Sequence, residues 1–231
     1  MKEKWKRAAV VALLVAGLPL RCGPAPEVLD GGGAGPVALP APRGDGPLSV
    51  EGALASRRSV RAYRKEPLTL AELGQLLWAA QGITAHWGGR SAPSAGATYP
   101  LEVFAVVGEV EGLAPGVYQY QPKGHGLLRR KTGDVRAELS RAALGQAWVR
   151  EASVVLVLAA RYERTTQRYG ERGVRYVHLE VGHAGQNIYL QATALGLGTV
   201  AVGAFSDEEV QRLLGIEEAP LYLMPVGRPA S

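Results

Sequence analysis

Ser153-Val154-Val155-Leu156-Val157-Leu158-Ala159-Ala160 is the stretch that says most about the fold. An unbroken apolar run of this kind is typical of a strand covered on both faces. A long helix is predicted after it, from about Val174 to Leu195, because Val177, Val181, Ala184 and Ile188 recur at helical spacing. Gly196 can end that helix. This strand and this helix together indicate a buried sheet with helices packed against it.

Shorter helices and strands are predicted before and after this strand and helix. Because the predicted strands and helices do not alternate regularly, the pattern indicates the α+β class. A helix is expected after the capping box Thr69-Leu70-Ala71-Glu72 and before Gly82, and another after Ser206 with Glu209. Asp134 is expected to cap a helix that reaches Leu144. The remaining expected strands are Val103 to Val107, a hairpin around Val117 to Gly126, Thr199 to Val202, and Leu221 to Val226.

Residues 1–22 are predicted to be a signal peptide or an N-terminal anchor. A basic stretch precedes the apolar run Ala8 to Leu20, which is short for a membrane span. Cys22 follows as in a lipoprotein processing site, although Arg21 departs from that pattern, so a lipidated form, an unlipidated exported form and an uncleaved anchor all stay open. Residues 23–47, rich in Gly and Pro, are predicted to be a tether, and residues 48–231 the folded domain.

The balance of charges and the cysteine count exclude several classes. The formal net charge is +5, and Lys2, Lys4, Lys6, Arg7 and Arg21 against Glu3 supply +4 of it, so no nucleic-acid partner is expected. A single cysteine excludes an internal disulfide framework and a cysteine metal cluster. His178, Glu180 and His183 are not expected to bind a metal, because histidines five residues apart on a helix point in different directions.

Two stretches could carry chemistry. Arg57-Arg58-Ser59-Val60-Arg61 suits an anionic ligand, because guanidinium groups match phosphate oxygens, although a solvated basic turn is the alternative. The small residues from Arg90 to Pro100 could let a backbone lie against a planar ligand, or form an ordinary surface turn. Gly196-Leu197-Gly198 with Gly203 is not a dinucleotide fingerprint, because its spacing is wrong and it leads from a helix into a strand.

Three segments together resemble the nitroreductase superfamily, in particular its streptolysin-biosynthesis and thiazoline-oxidase (SagB-type) branch. They are Ser56 to Tyr63, Pro93 to Glu102, and Arg175 to Asn187, and the likeness runs in order from about Leu48 to Pro229. The resemblance implies an α+β fold with a central mixed sheet flanked by helices. It also implies a homodimer that holds two flavin mononucleotide (FMN) molecules at its interface.

The resemblance assigns residues to that cofactor by position. Arg57, Arg58, Ser59 and Arg61 would bind the flavin phosphate, ribityl chain and pyrimidine edge, and Arg228 after Gly227 would bind the phosphate. The loop of Pro93, Ser94, Ala95 and Gly96 would reach the flavin of the partner subunit. Gln146 would lie near the pyrimidine ring, and Gly203 near the ring face and N5.

The function implied is an FMN-dependent oxidoreductase that transfers electrons between a nicotinamide or other donor and a small organic acceptor. No catalytic side chain is assigned, although Tyr169 could orient a substrate. One alternative is an azoline oxidase acting on a modified peptide. Arg168-Tyr169-Gly170 departs from the Lys-Tyr pair of such enzymes, and arginine cannot readily act as a base.

Another alternative, from a different class, is a non-catalytic flavin-binding protein of the cell envelope, which turnover with an artificial acceptor would exclude. An exported or membrane-anchored location is favoured over the cytoplasm, with membrane association through the N-terminal segment. An anchored domain facing the cytoplasm stays open, because FMN is made there.

Overall fold

The structure, a computed structural model, describes residues 36–230 of the chain. The predicted signal or anchor segment, with Cys22, and the first part of the predicted tether lie outside the described residues.

A single sheet forms the centre of the domain, with strand order β1-β5-β4-β3-β6-β8-β2 and β7 paired to β8. The named strands pair antiparallel, and parallel pairing enters through isolated bridges such as Ser59 with Thr199. The strands are β1 Val37–Ala38, β2 Tyr63–Arg64, β3 Leu101–Val107, β4 Gly116–Gln121, β5 Gly126–Thr132, β6 Val154–Ala160, β7 Gly198–Thr199 and β8 Ala219–Pro229.

Helices cover both faces of this sheet, which confirms the predicted α+β class. One face packs against α2 and α6, and the other against α3, α4 and α7. The helices are α1 Val50–Ser56, α2 Leu70–Gln81, α3 Arg136–Ala142, α4 Ala147–Glu151, α5 Glu163–Tyr169, α6 Arg172–Ala194 and α7 Asp207–Leu214.

Strand β6 lies at the middle of the sheet, between β3 and β8. All of its residues are buried, and they alternate between the two cores: Leu156 packs on the α2 and α6 side, and Val155 on the α3, α4 and α7 side. This confirms the prediction made from the apolar run.

The two N-terminal caps predicted from the sequence, those of α2 and α7, are present in the structure. The Thr69 side chain accepts a hydrogen bond from the Glu72 N–H, and the Glu72 carboxylate accepts one from the Thr69 N–H at 2.8 Å. Ser206 caps α7 by accepting from the Glu209 N–H. A side-chain oxygen at this position satisfies an N–H that the helix itself cannot.

Two local predictions were wrong. Asp134 does not cap α3, whose N-cap is Val135; its carboxylate instead binds the N–H and the guanidinium of Arg136. That helix ends at Ala142, before Leu144 and Gly145, which adopt positive φ angles of 57° and 74°. The strand expected from Thr199 to Val202 is also shorter, since β7 stops at Thr199 and Val202 makes only a bridge to Leu223.

Part of the predicted tether packs on the domain. Val37 and Ala38 pair with β5, and Leu39 is buried with its N–H bonded to the His125 carbonyl at 3.1 Å. The Gln75 side chain binds both the N–H and the carbonyl of Arg43. Residues 37–43 thus pack on the domain, although contacts made by so few residues leave no periodic pattern in the sequence.

Within residues 36–230, none of the helices combines the length and apolar character that a membrane span requires.

Candidate active site

Tyr189 on α6 organises the basic segment that follows α1. The hydroxyl groups of Ser59 and Tyr189 lie 3.1 Å apart, and the Tyr189 oxygen also accepts from the Ala201 N–H at 2.8 Å. The Arg57 guanidinium carbon lies 5.0 Å from the centroid of the Tyr189 ring, at a cation–π distance. The Tyr189 side chain thus contacts both the basic segment and Ala201, which lies between the end of β7 and Gly203.

Arg61 lies on the opposite side of this segment, against α4. Its guanidinium carbon is 5.7 Å from the centroid of the Trp148 ring. The neighbouring Tyr63 hydroxyl donates to the carbonyls of Val60 and Pro225. Burial raises the pKa of Tyr63, Tyr189 raises it further, and Arg61 opposes the shift. Arg61, Tyr63 and Tyr189 are therefore close enough to interact electrostatically.

The three arginines of the segment have different environments. Arg58 turns its Nη1 back to the carbonyls of Ala55 and Arg57, at 3.0 and 2.8 Å, and so covers the C-terminal end of α1. Arg57 and Arg61 form no ion pair with a carboxylate among residues 36–230. Two guanidinium groups that flank Ser59 thus keep their positive charge uncompensated by the described part of the chain.

Arg228 is arranged differently. Its Nη2 lies 3.1 Å from the Glu72 carboxylate and its Nε 3.6 Å from Glu66. Alternate residues of a strand point to opposite faces, so Arg228 points towards α2 while Gly227 faces Tyr63. A Cβ on Gly227 would lie 2.9 Å from the Tyr63 ring, so only glycine fits there. The structure thus gives Arg228 two carboxylate partners that the sequence did not suggest.

Gln146 lies beside the residue that follows Gly203. The Gln146 Nε2 donates to the carbonyls of Ala143 and Ala204, both at 2.9 Å. Gly203 is exposed, and its N–H makes no hydrogen bond with any other described residue. Nearby, the buried Trp148 Nε1 and Thr199 Oγ1 also find no partner within residues 36–230. The Gly203 N–H is therefore an exposed donor that the described chain does not use, whereas the other two atoms are enclosed by protein.

The loop of Pro93, Ser94, Ala95 and Gly96 forms a second group with α5. Gly96 has a φ of +59°, and its carbonyl accepts from Arg168 Nη1 at 3.2 Å. A Cβ on Gly96 would lie 2.5 Å from the Tyr169 hydroxyl. The predicted cofactor loop and the possible substrate-orienting tyrosine thus touch each other. No hydrogen bond, ion pair or ring contact within residues 36–230 joins this loop to the Arg57 to Arg61 segment.

The residues considered for a metal are separated. His178 Nε2 lies 2.6 Å from the Tyr162 hydroxyl, His183 is exposed, and Glu180 is buried. Within the described residues, no group of three His, Cys, Asp or Glu side chains is placed to hold a metal ion.

Sequence analysis did not identify Tyr189 and Trp148 as site residues. Ser59 and Tyr189 are 130 positions apart in the chain, and Tyr189 is one aromatic residue among others on the long helix. No local signal separates it from a residue of the core.

Two proteins that are each 26% identical to this chain have names that state a function or a context. The FMN reductase [NAD(P)H] of Bacillus subtilis is 26% identical over 77% of this chain and 64% of its own length. The trifolitoxin operon protein TfxC of Rhizobium leguminosarum is 26% identical over 75% of this chain and 54% of its own length. The second match confirms the resemblance to the SagB-type branch.

More similar proteins cover more of this chain. A protein of Methanocaldococcus jannaschii named as a candidate nitroreductase is 54% identical over 78% of this chain and 91% of its own length. The crystal structure of a candidate nitroreductase from Ralstonia eutropha has a TM-score of 0.76 at 30% identity, over 94% of this chain and 97% of that one. Another, from Anabaena variabilis, has a TM-score of 0.70 at 35% identity over 78% of this chain, which spans only 38% of that protein.

The nitroreductase family model matches residues 54–228, which include the basic segment, the Pro93 to Gly96 loop and Arg228. The chain belongs to the nitroreductase family of oxidoreductase enzymes.

Proposed function

We propose that the protein is an FMN-dependent oxidoreductase that transfers electrons between a nicotinamide donor and a small organic acceptor. One observation carries the proposal: Arg57 and Arg61, on either side of Ser59, have no carboxylate partner among the described residues. Concentrated, uncompensated guanidinium charge is what a phosphate monoester needs, since the N–H donors match phosphate oxygens in number and direction.

The other end of the proposed site fits a flavin ring. The Gly203 N–H is a donor with no use inside the described chain, and Gly203 has no side chain to block a flat ligand. Gln146 holds the backbone that follows Gly203. A bound flavin would supply the redox chemistry by accepting a hydride at N5 and passing electrons on, while these residues bind and orient it.

Arg228 contributes less charge to a phosphate than its position in the family motif implies. Its pairing with Glu72 and Glu66 already compensates its charge, so we propose that Arg57 and Arg61 provide most of the attraction. A guanidinium has five N–H donors, which leaves Arg228 able to donate a further hydrogen bond.

The test is to purify the full chain and record its absorption spectrum, then identify the cofactor that denaturation releases. We expect a yellow protein that releases FMN rather than FAD. Oxidation of NADH and of NADPH should then be followed with a nitroaromatic compound and with an artificial acceptor; the FMN reductase relative supports a nicotinamide donor. A colourless protein that FMN cannot reconstitute contradicts the proposal. Bound FMN without turnover would instead favour the non-catalytic flavin-binding alternative.

We also propose that the protein works as a homodimer. Large apolar side chains are exposed on α1 and α6, which pack against each other: Val50 is 65% exposed, Leu54 54% and Leu179 55%. Exposed apolar side chains gathered on neighbouring helices favour contact with another protein surface. A second copy of this chain would cover them and bring its Pro93 to Gly96 loop to the flavin.

A second candidate function is oxidation of an azoline in a modified peptide. It is favoured by the contact of Tyr169 with the Gly96 loop and by the trifolitoxin operon relative. Arg168 would not be the base, since a guanidinium group does not readily accept a proton. It donates to the Gly96 carbonyl, and its guanidinium carbon lies 5.6 Å from the centroid of the Tyr169 ring. Incubating the FMN-loaded enzyme with a thiazoline peptide tests this function: loss of two hydrogen atoms in the mass spectrum supports it, and an unchanged mass excludes it for that peptide.

We further propose that residues 1–22 direct the protein to the cell envelope. Fractionation of cells that produce the full chain should place it with the membrane or the exported fraction, and recovery only in the cytoplasmic fraction contradicts this.

A further inference from the structure

The hydroxyl group of Tyr189 lies between two segments that the proposed site assigns to opposite ends of the flavin. Its oxygen accepts from the Ala201 N–H at 2.8 Å and lies 3.1 Å from the Ser59 Oγ. Ala201 precedes Gly203, which is proposed to face the ring, and Ser59 belongs to the segment proposed to bind the phosphate. The direction of the hydrogen bond between the two hydroxyl groups decides what Ser59 can offer a ligand.

That direction follows from the other contacts of the two groups. A tyrosine hydroxyl has one proton to donate, and among residues 36–230 the only acceptor within hydrogen-bonding distance of it is the Ser59 Oγ. If Ser59 donated instead, the Tyr189 oxygen would accept twice and its own proton would have no acceptor in this part of the chain. We therefore take Tyr189 as the donor and Ser59 as the acceptor.

Ser59 then keeps its own proton free for a ligand. Its side chain is exposed, and its Oγ makes no other hydrogen bond within the described residues. Arg57 and Arg61, on either side, are donors without a carboxylate partner in the same part of the chain. A phosphate monoester carries no proton above its second pKa of about 6, so it can only accept hydrogen bonds. Three neighbouring donor side chains match such a group.

The backbone on both sides of the hydroxyl pair is fixed by the fold. The Tyr189 ring is partly buried against the core, and the Arg57 guanidinium carbon lies 5.0 Å from its centroid. The Val60 N–H donates to the Thr199 carbonyl at 2.9 Å. A Cβ on Gly198 would lie 2.7 Å from the Val60 side chain, so the basic segment approaches β7 as closely as a glycine allows. The contact between the hydroxyl groups is therefore part of the packing of α6, β7 and the basic segment.

We propose that Tyr189 is a positioning residue that makes Ser59 a hydrogen-bond donor to a phosphate monoester, and so increases the preference of the site for FMN over riboflavin. The inference rests on the proposed function, since it takes the phosphate to be that of FMN. Hydrogen bonds then run in one direction, from the Ala201 N–H through Tyr189 and Ser59 to the phosphate. Hydrogen bonds arranged in such a chain polarise and strengthen one another.

The experiment measures the dissociation constants of FMN and of riboflavin for the full chain freed of flavin, by titration followed through flavin fluorescence. Riboflavin has the same ring and lacks the phosphate, so the ratio of the two constants isolates the contribution of the phosphate. Tyr189→Phe keeps the aromatic ring and removes the hydroxyl. We expect this variant to lower the preference for FMN by roughly twofold to tenfold, as for loss of one neutral hydrogen bond. A merely structural disturbance would weaken the binding of both flavins alike and leave the ratio unchanged.

Ser59→Ala shows whether the effect passes through Ser59. This variant should lower the preference for FMN at least as much as Tyr189→Phe, because it removes the donor itself. Adding Tyr189→Phe to Ser59→Ala should then change the preference little. The FMN constants of the four proteins form a double-mutant cycle by themselves, which gives the coupling even if riboflavin binds too weakly to titrate. Tyr176→Phe, on the same helix, is the matched control and should follow the parent, because the Tyr176 hydroxyl makes no hydrogen bond within residues 36–230.

The outcomes separate the two proposals. If the parent binds neither FMN nor riboflavin, the proposed function fails. If the parent binds FMN, but Tyr189→Phe keeps the parent's preference or acts equally in the presence and absence of the Ser59 hydroxyl, the inference is overturned and the proposed function stands.

Discussion

At the scale of single residues, the site depends on which arginines are already paired. Arg57 and Arg61 have no carboxylate partner among the described residues, whereas Arg228 has Glu72 and Glu66. Identical side chains that the family resemblance assigns to one cofactor therefore differ in the charge that they can offer a phosphate.

Replacing Arg61 with alanine should weaken FMN binding by roughly tenfold to a hundredfold, because a hydrogen bond to a charged partner contributes about 1.5 to 3 kcal/mol. Titration of the apoprotein with FMN, followed by flavin fluorescence, measures this. Arg130→Ala, on the exposed part of β5, is the control and should bind like the parent. Equal affinities for all three proteins would favour the solvated basic turn that the sequence left open.

Tyr189→Phe should also weaken FMN binding, although less. The change removes the hydroxyl that contacts Ser59 and the Ala201 N–H but keeps the ring beneath Arg57. A neutral hydrogen bond contributes about 0.5 to 1.5 kcal/mol net, so an effect of roughly twofold to tenfold per bond is expected. Tyr176→Phe on the same helix, whose hydroxyl makes no hydrogen bond within residues 36–230, should have no effect. An unchanged affinity for Tyr189→Phe would mean that its hydroxyl does not order the basic segment.

At the scale of elements, α6 connects the two halves of the candidate site. Tyr189 reaches the basic segment from this helix, while Asn187 donates to the Ser91 carbonyl of the Arg90 to Tyr99 loop. The helix is 23 residues long, enough to reach both groups. Its apolar stripe packs on the sheet, so polar residues at its margins meet segments distant in sequence.

The buried carboxyl on α6 should make stability depend on pH. Burial raises the pKa of Glu180 from 4.5 to about 7, so the folded protein binds a proton that the unfolded chain releases between these values. The stability associated with protonated Glu180 is complete below about pH 4.5 and is lost as the pH rises through about 7.

The side chain of the Glu180→Gln variant cannot ionise, so the variant should not lose this stability as the pH rises. The free energy of unfolding of the variant, relative to the parent, should therefore increase between pH 5 and pH 7, by at most about 1.4 kcal/mol per pH unit. Chemical denaturation at several pH values measures it, with Glu171→Gln as the exposed control. A difference that stays constant over this range would show that the pKa of Glu180 is not raised.

At the scale of the whole molecule, the site is expected to need two chains. No hydrogen bond, ion pair or ring contact within residues 36–230 joins the Pro93 to Gly96 loop to the basic segment, which is the arrangement expected if the loop serves the flavin of a partner.

Light scattering should find a dimer for the parent, and Leu179→Arg should give a monomer that has lost its flavin. An arginine in place of the exposed Leu179 would have to be buried without a partner if a second copy covered this part of α6. Leu144→Arg is the control, because Leu144 is 74% exposed in the turn between α3 and α4 and should not affect assembly. A monomeric parent that keeps one FMN per chain would show that the site is complete within one subunit.

The sequence alone determined the features that depend on neighbouring residues. The apolar run predicted β6, the helical spacing predicted α6 and the capping boxes predicted the starts of α2 and α7, since each depends on side chains within a few turns. The family motifs indicated the α+β fold and grouped the candidate site residues. Short-range patterns failed at Asp134 and at Val37 to Ala38, where one ion pair and one short strand pairing decided the structure.

The tertiary structure decided which charges are paired and which polar groups are buried. Arg228 and Glu72 are 156 positions apart, and Ser59 and Tyr189 are 130 apart, so no local pattern could join them. Sheet order and the packing of α2 and α6 bring these pairs within hydrogen-bonding distance. Whether an arginine can bind a phosphate, or a carboxyl group keeps its proton, depends on such neighbours because desolvation and nearby charge set both.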